Sequence, residues 1–418
     1  MINGRSVIEV NGSRFSEDFL KPIETYSFAK IPNTILTLFG LSTKSLPTDC
    51  FRKDRYERVI LLLLDGFGWR FLEKYRDQYP FLKRFFSEGI VSKLSSQFPS
   101  TTAAHITTLC SNQTVGEHGI YEWFMYEPQV NRIVAPLLYT FAGDKNLGAL
   151  EAELPPSSFL PRDSFFQNLK KQGIPSHVFQ HACIADSLYS RFMYEGAHRI
   201  GYRSWNEALS LLKEKLKSPG LFYLYFGDFD AEAHRNGLES QQVATAVDRC
   251  FHELEKHLMS CPELSDPSTA LIVTADHGMT EIHPSTTYYL NEKIPELEKW
   301  LKRGADGHVL APAGSCRDFF LHVEPEYLLE AGEQLQHHLQ GKALVYPTAK
   351  LMEEGFFGSK EVSKKLRSRM ADLAILSRNN EAIWWYEKGR FEQNFYAMHG
   401  GLTPDELETI FLFYQGSN

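Results

Sequence analysis

Three apolar runs in this 418-residue chain end on side chains that bind metals. Val59 to Leu64 stops on Asp65-Gly66, Leu271 to Thr274 leads into Asp276-His277, and Leu221 to Phe226 runs out into Asp228, Asp230 and His234. His399, in a Met-His-Gly-Gly turn, adds one more imidazole. Carboxylate oxygens mixed with imidazole nitrogens, without thiolates, suit Zn²⁺ or Mn²⁺ in a catalytic site and not a structural zinc. Two such cations about 4 Å apart can hold the attacking and the leaving oxygen of an in-line displacement at phosphorus. Asp65, Asp276 and His277 are the expected ligands of one ion, and Asp230, His234 and His399 of the other. Neighbours at a strand end point to different sides, so Asp276 and His277 can reach different parts of one site. Asp230 and His234 share a face if their segment is helical. Thr102 is the candidate nucleophile, since a hydroxyl made acidic by a cation can attack phosphorus. It opens an apolar stretch, 103–109, that reads as a helix, and free amides at a helix start stabilise phosphoryl oxygens.

These residues need a frame that brings strand ends together. Strands are expected at 58–64, 91–94, 176–180, 221–226 and 270–274, alternating with helices over 69–88 (broken at Pro80), 205–216 and 241–259. That rhythm predicts an α/β fold with a mostly parallel central sheet flanked by helices, whose active site lies beyond the carboxyl ends of the strands. Residues 281–393 read differently, with short strands at 317–323, 343–347, 373–376 and 382–386 around a helix at 326–339. The expected division is a core of 1–280 and 394–418 with an inserted α+β cap at 281–393.

Bulk properties narrow the function. A net charge of −8 without a basic face argues against nucleic acid as a stable partner. No apolar stretch approaches the ~18 residues that span a bilayer, and the start lacks a secretory signal, so no membrane partner and a cytoplasmic location are expected. Six scattered cysteines, without a CxxC pair, read as reduced packing residues.

In combination the segments resemble the type I phosphodiesterase/nucleotide pyrophosphatase branch of the alkaline phosphatase superfamily. The matching residues are Asp65-Gly66, Pro99-Ser100-Thr101-Thr102, His118-Gly119, Asp230 to His234, Asp276-His277-Gly278-Met279 and His399-Gly400. The proline offset and the position of His118, sixteen residues after Thr102, select Thr102 over Thr101. The resemblance implies an alkaline-phosphatase-like core and two zinc ions, with manganese as the substitute. It implies hydrolysis of phosphodiester or nucleotide pyrophosphate bonds in a small substrate, a nucleotide among the candidates, through a phospho-threonine intermediate. Thr102 would join Asp65, Asp276 and His277 at one ion, with Asp230, His234 and His399 at the second. A phosphomonoesterase or phosphonate hydrolase on the same core is the nearest rival, and a metal-stabilised binding protein without turnover is the rival from another class. A sulfatase is disfavoured because the Cys/Ser-x-Pro-x-Arg segment is absent.

Two departures from the family pattern stand out. His105 replaces an asparagine three residues after the nucleophile, and it is expected either to contact substrate or to face the core. Glu122-Trp123 occupies the region of another asparagine that contacts a phosphoryl oxygen. Trp123 and Phe124 are expected either to stack on a flat leaving group or to fill the core, and the charge of Glu122 to repel a monoester dianion. His118 reads as a loop-holding residue, and Asp228 either as a strand end or as a carboxylate that holds a ligand histidine in place.

Overall fold

Residues 1–52, 54–358 and 360–416 are described by a computed structural model. Its central sheet has seven strands: β1 (Arg58–Leu64), β2 (Ile90–Ser95), β3 (Ser176–His181), β4 (His198–Tyr202), β5 (Gly220–Phe226), β6 (Thr269–Thr274) and β7 (Glu408–Gln415). They lie in the order β2-β7-β6-β1-β5-β3-β4. Only β7 runs antiparallel to its neighbours, so the mostly parallel sheet read from the sequence is present. The unbroken apolar run of β1 has a physical reason. Val59, Leu61 and Leu63 enter one hydrophobic cluster, whereas Ile60, Leu62 and Leu64 enter another. A strand whose side chains alternate between two dry faces cannot show polar alternation.

Flanking helices cover both faces. Leu72, Leu82, Leu209 and Val247 pack on one side, and the helix break at Pro80 is real, with Pro80 opening the second helix. On the other side lie helix α1 (Thr102–Ser111) and much of 281–393. Within that stretch Leu373–Ser377 is the middle strand of an antiparallel sheet between Asp318–Leu321 and Ala343–Pro347. Phe320, Leu321 and Leu376 share one cluster with Leu61 and Ile272, so apolar packing runs on from this stretch into the main sheet. Two core strands escaped the sequence reading. β4 is an edge strand with exposed His198 and Gly201, and β7 follows the His399 turn as the one antiparallel insertion. Among the described residues no helix is long and apolar enough to cross a membrane.

A buried ion pair ties 281–393 to the turn that carries His399. Arg317 Nε donates to Glu406 Oε1 at 3.0 Å and Arg317 Nη2 to Oε2 at 2.9 Å, and neither side chain has exposed surface. Arg317 also donates to the carbonyls of Ser377, Arg378 and Glu381, while Glu406 accepts from Gly401 N and Thr403 Oγ1. Every strong donor of the guanidinium is thereby used in a fixed fork. Removing one partner strands a buried charge. Glu406→Ala should therefore destabilise the protein by about 3–5 kcal/mol, measured by chemical unfolding; an unchanged midpoint would refute the clamp.

Candidate active site

Parallel pairing sets the level of the strand ends. Leu64 of β1 lies opposite Phe226 of β5, and Leu63 opposite Thr274 of β6. Asp65 and Asp276 therefore emerge side by side, and helix α2 (Asp228–Asn236) starts beside them. As the spacing required, the helix stacks Asp230 and His234, with His234 Nε2 3.2 Å from Asp230 Oδ1. His399 Nε2 stands 3.7 Å from that same oxygen. In the neighbouring group His277 Nε2 lies 3.5 Å from Asp65 Oδ1 and 3.4 Å from Asp276 Oδ2. The ligand atoms of each trio fall within 4.8 Å of one another. The trios adjoin, because the rings of His277 and His399 stack with centroids 3.7 Å apart. Gly66 makes this closeness possible: its φ is +73°, and a Cβ there would meet Met279 Sδ at 3.1 Å and Asp230 Cβ at 3.3 Å.

The histidines are aimed by the main chain. Nδ1 of His277 faces Gly278 O at 3.0 Å, that of His234 faces Ala397 O at 2.7 Å, and that of His399 faces Ser100 O at 3.0 Å. A carbonyl only accepts, so each Nδ1 carries the hydrogen and each Nε2 turns to the carboxylates. Asp230 Oδ1 and Asp276 Oδ2 have no hydrogen-bond partner although both are buried. Lone pairs converging on orphaned carboxylate oxygens repel one another, and a divalent cation in each trio reverses that sign. The donor set thus fits metal ions.

Titration reflects the same imbalance. Burial, then the charges of Asp276 and Asp230, hold Asp65 well above the usual carboxylate range. Burial pushes Asp276 up to about 7. Asp230 goes the other way: burial would raise it, but His234 and then His399 bring it below its ordinary value. Against burial, Asp230 raises His234, while burial keeps His277 and His399 well below the usual histidine range.

Thr102 is the first residue of α1, and no side chain caps that helix. Its Oγ1 donates toward Asp65 Oδ1 at 3.4 Å and lies 3.2 Å from His277 Nε2. Above it opens a cleft of about 390 Å³. Thr101, Thr102, Asp230, His234 and His399 form its floor, and Glu122, Trp123, Phe124, Trp384, Phe391 and Phe395 stand in its walls. Phe124 stacks on Trp384 at 6.3 Å between centroids and meets Phe391 edge-on at 5.9 Å, whereas Trp123 keeps 37% of its surface exposed.

Other expectations change. His105 is absent from the cleft: its Nε2 accepts from Gln97 N at 2.9 Å and its Nδ1 faces Thr101 O at 2.7 Å. Both nitrogens are committed inside the protein, and burial lowers the ring's pKa to about 4. It braces the turn before α1 from the inside and does not line the cleft. Asp228 begins α2 and pairs with Arg249, so it is not a strand end. His118 holds its loop through Ile120 N and Thr108 Oγ1, as read. Glu122 is no fixed surface charge, because it is fully buried and burial pushes it up to about 8. Tyr225 was overlooked; its hydroxyl donates to Asp65 Oδ2. The alternation of β5 carried that signal, since Leu221, Tyr223 and Tyr225 all pack against the same cluster, on the sheet face that carries α1.

Metal binding should release protons, and more of them at lower pH. Asp276, raised to about 7, holds protons at pH 6 that a cation must displace, and Asp65, raised by burial and by the charges of Asp276 and Asp230, and the raised His234 shift proton release in the same direction. Folding of the metal-free protein is linked with the same sign. Carboxyls raised in the folded state bind more protons than the unfolded chain, so their contribution to stability falls as pH climbs from the unfolded carboxylate range toward 7. Calorimetric titration with Zn²⁺ in buffers of different ionisation enthalpy should show more protons released at pH 6 than at pH 8. Equal release at both would contradict the charge distribution.

Known proteins share this arrangement of elements. The family model described as type I phosphodiesterase/nucleotide pyrophosphatase matches residues 59–402. Ectonucleotide pyrophosphatase/phosphodiesterase family member 3 of Rattus norvegicus is 22% identical over 262 residues, which is 59% of this chain and 27% of that protein. The Mus musculus protein of the same name is 21% identical over 266 residues, 59% of this chain and 28% of that protein. The chain thus matches just over a quarter of the length of these relatives. Among solved structures, an inactive murine ectonucleotide pyrophosphatase/phosphodiesterase 5 in complex with AMP superposes with a TM-score of 0.64 at 17% identity, covering 86% of this chain and 88% of that one. Phosphonoacetate hydrolase from Sinorhizobium meliloti in complex with phosphonoformate gives 0.60 at 18% identity, covering 87% and 92%. The structural likenesses speak to the fold.

Proposed function

Since the chain belongs to the type I phosphodiesterase/nucleotide pyrophosphatase family, we propose that it is a metal-dependent phosphoester hydrolase acting on phosphodiester or nucleotide pyrophosphate bonds. One observation carries this reading: the Thr102 hydroxyl lies at the start of α1 within 3.4 Å of Asp65 Oδ1 and 3.2 Å of His277 Nε2, at the floor of the cleft. Asp65, Thr102, Asp276 and His277 would hold one divalent ion, and Asp230, His234 and His399 the other, with zinc the first expectation and manganese the second. When bound, such ions supply the positive charge that acidifies a hydroxyl and neutralises phosphoryl oxygens.

The chain's own residues arrange the rest. Asp65 and His277 orient Thr102 Oγ1 toward the cleft, where a phosphorus atom is attacked in line with its leaving oxygen. The Thr102 Oγ1–P bond forms as the P–O bond to the leaving group breaks. Water then attacks the same phosphorus and Thr102 Oγ1 departs. The first-turn amides of α1 face developing negative charge. Trp123, Phe124 and Trp384 offer flat apolar surface to a leaving group, and the neighbour solved with AMP supports a nucleotide there. We also propose that 281–393 acts as the wall that selects this leaving group, since Trp384, Phe391 and several other cleft residues come from it. A cytoplasmic location is proposed with it, supported by six unpaired cysteines; cell fractionation checks it.

Purified active protein should contain close to two divalent ions and lose activity in chelator. Thr102→Ala should lower kcat by more than roughly 10³-fold with the fold intact, while Thr101→Ala should stay within about tenfold of the parent. The opposite pattern would place the nucleophile at Thr101, and one ion or fewer in active protein would rule out the paired site. With bis-p-nitrophenyl phosphate, p-nitrophenyl phosphate and phosphonoacetate as substrates, the highest kcat/KM should belong to the diester. A faster monoester or phosphonate would replace this reading with its nearest rival, and no turnover of any would leave a binding protein.

Trp123→Ala should reduce kcat/KM more for dinucleotide substrates than for small aryl diesters, by an amount on the order of the 1–3 kcal/mol of a base stacked on an aromatic ring. Equal losses would mean that Trp123 only supports its loop.

A further inference from the structure

Glu122 sits in the cleft wall with a carboxyl that the protein does not satisfy. Its side chain has no exposed surface, and it lines the same cavity as Thr101 and Thr102. One oxygen, Oε2, accepts from the amide of Trp123. The other, Oε1, is buried with no hydrogen-bond partner, and the nearby Thr101 Oγ1 is likewise unpartnered. No basic side chain among the described residues forms an ion pair with it. A buried polar atom left alone costs free energy, so an oxygen kept in this state beside a nucleophile calls for an occupant.

We propose that Glu122, in its protonated form, is a substrate-contacting residue that donates a hydrogen bond from its carboxyl to a phosphoryl oxygen seated over Thr102. The inference rests on the hydrolase reading above and names the recognition element for the phosphoryl group that the ligand trios do not supply. Burial favours the neutral acid, pushing Glu122 up to about 8 against the pull of the Trp123 amide, to which the nearby Thr101 hydroxyl adds without completing a hydrogen bond. The surrounding charges agree. Asp318, on the strand Asp318–Leu321, is buried with Oδ2 unpartnered and is held well above the carboxylate range by burial and then by Glu122. Tyr121 lies beside Glu122 on its own segment, with Arg369 near that tyrosine; Asp230, His234 and His399 stand on the cleft floor, and Arg390 and Glu392 also line the cleft. An ionised Glu122 would repel a phosphoryl anion, whereas a protonated one can donate through Oε1, which has no hydrogen-bond partner among the described residues.

The test uses the metal-loaded full chain. Glu122→Gln keeps a donor but cannot titrate; Glu122→Met keeps the length and loses the donor. With a diester substrate the parent should lose activity as pH rises through the Glu122 pKa, and the Gln variant should keep kcat within about threefold at neutral pH and lack that alkaline fall. The Met variant should lose roughly 10²-fold in kcat, the cost of deleting one preorganised donor. Binding of inorganic phosphate, measured calorimetrically in a Thr102→Ala background, should weaken roughly tenfold with Met and hold with Gln. Should the Met variant fail to fold, the pH profile of the Gln variant decides: an alkaline fall equal to the parent's overturns the proposal. A folded Met variant that binds phosphate as tightly as the parent overturns it too. If the parent hydrolyses no phosphoester, the hydrolase reading fails by itself, and phosphate binding still judges Glu122; a parent that binds no phosphate overturns both.

Discussion

The site depends on the register of three parallel strands. Because β5, β1 and β6 end level, the chain places Asp65, Asp276 and the first turn of α2 around one point, and their charges cannot move apart. Hydrogen bonding along each strand fixes this arrangement before any side chain chooses a rotamer. A slip of one residue would turn every inward side chain of β1 to the opposite face and scatter the carboxylates. The two hydrophobic clusters guard against that slip, since each takes alternate residues of the same strand.

From that constraint the electrostatics follow. Burial raises Asp65 and Asp276, the charge of Asp230 adds to both, and of the three only Asp230, flanked by two imidazoles, escapes upward displacement. Among the described residues no ammonium or guanidinium pairs with them directly. Charge compensation is left to what binds, which is how a site can be stable enough to fold and still avid for cations. The buried Arg317–Glu406 pair works in contrast as a closed unit, complete within the protein, and holds the turn of His399 in place.

Much of this was legible in the sequence because the relevant residues sit at the ends of regular elements. Apolar runs marked β1, β5 and β6, and the residue types after them marked the two trios that the structure brings together. The Asp230 to His234 spacing carried its own geometry once the helix was granted. What stayed hidden has common physical causes. β4 is an edge strand, so its residues lack the apolar signature of a buried one. His105 sits where a substrate contact was conceivable, yet whether an imidazole turns to a cleft or to a main-chain carbonyl is decided by tertiary packing. The aromatic wall of Trp384, Phe391 and Phe395 lies hundreds of residues from Thr102 in sequence, with no ligand-type spacing to announce it. Glu122 was visible, but its ionisation depends on burial, which composition and spacing do not encode.

The three candidate ligand histidines are hung from the carbonyls of Gly278, Ala397 and Ser100, and not from aspartates or glutamates. Peptide groups survive every substitution, so the tautomer and aim of each ring are inherited with the backbone and lie beyond the reach of point mutation. A lineage could not tune imidazole basicity here by trading an outer carboxylate for an amide. Diversification of metal preference or substrate range would have to proceed through the ligands themselves or through the cleft walls. The walls are drawn from segments far apart in the chain, and they are the part of the site free to drift.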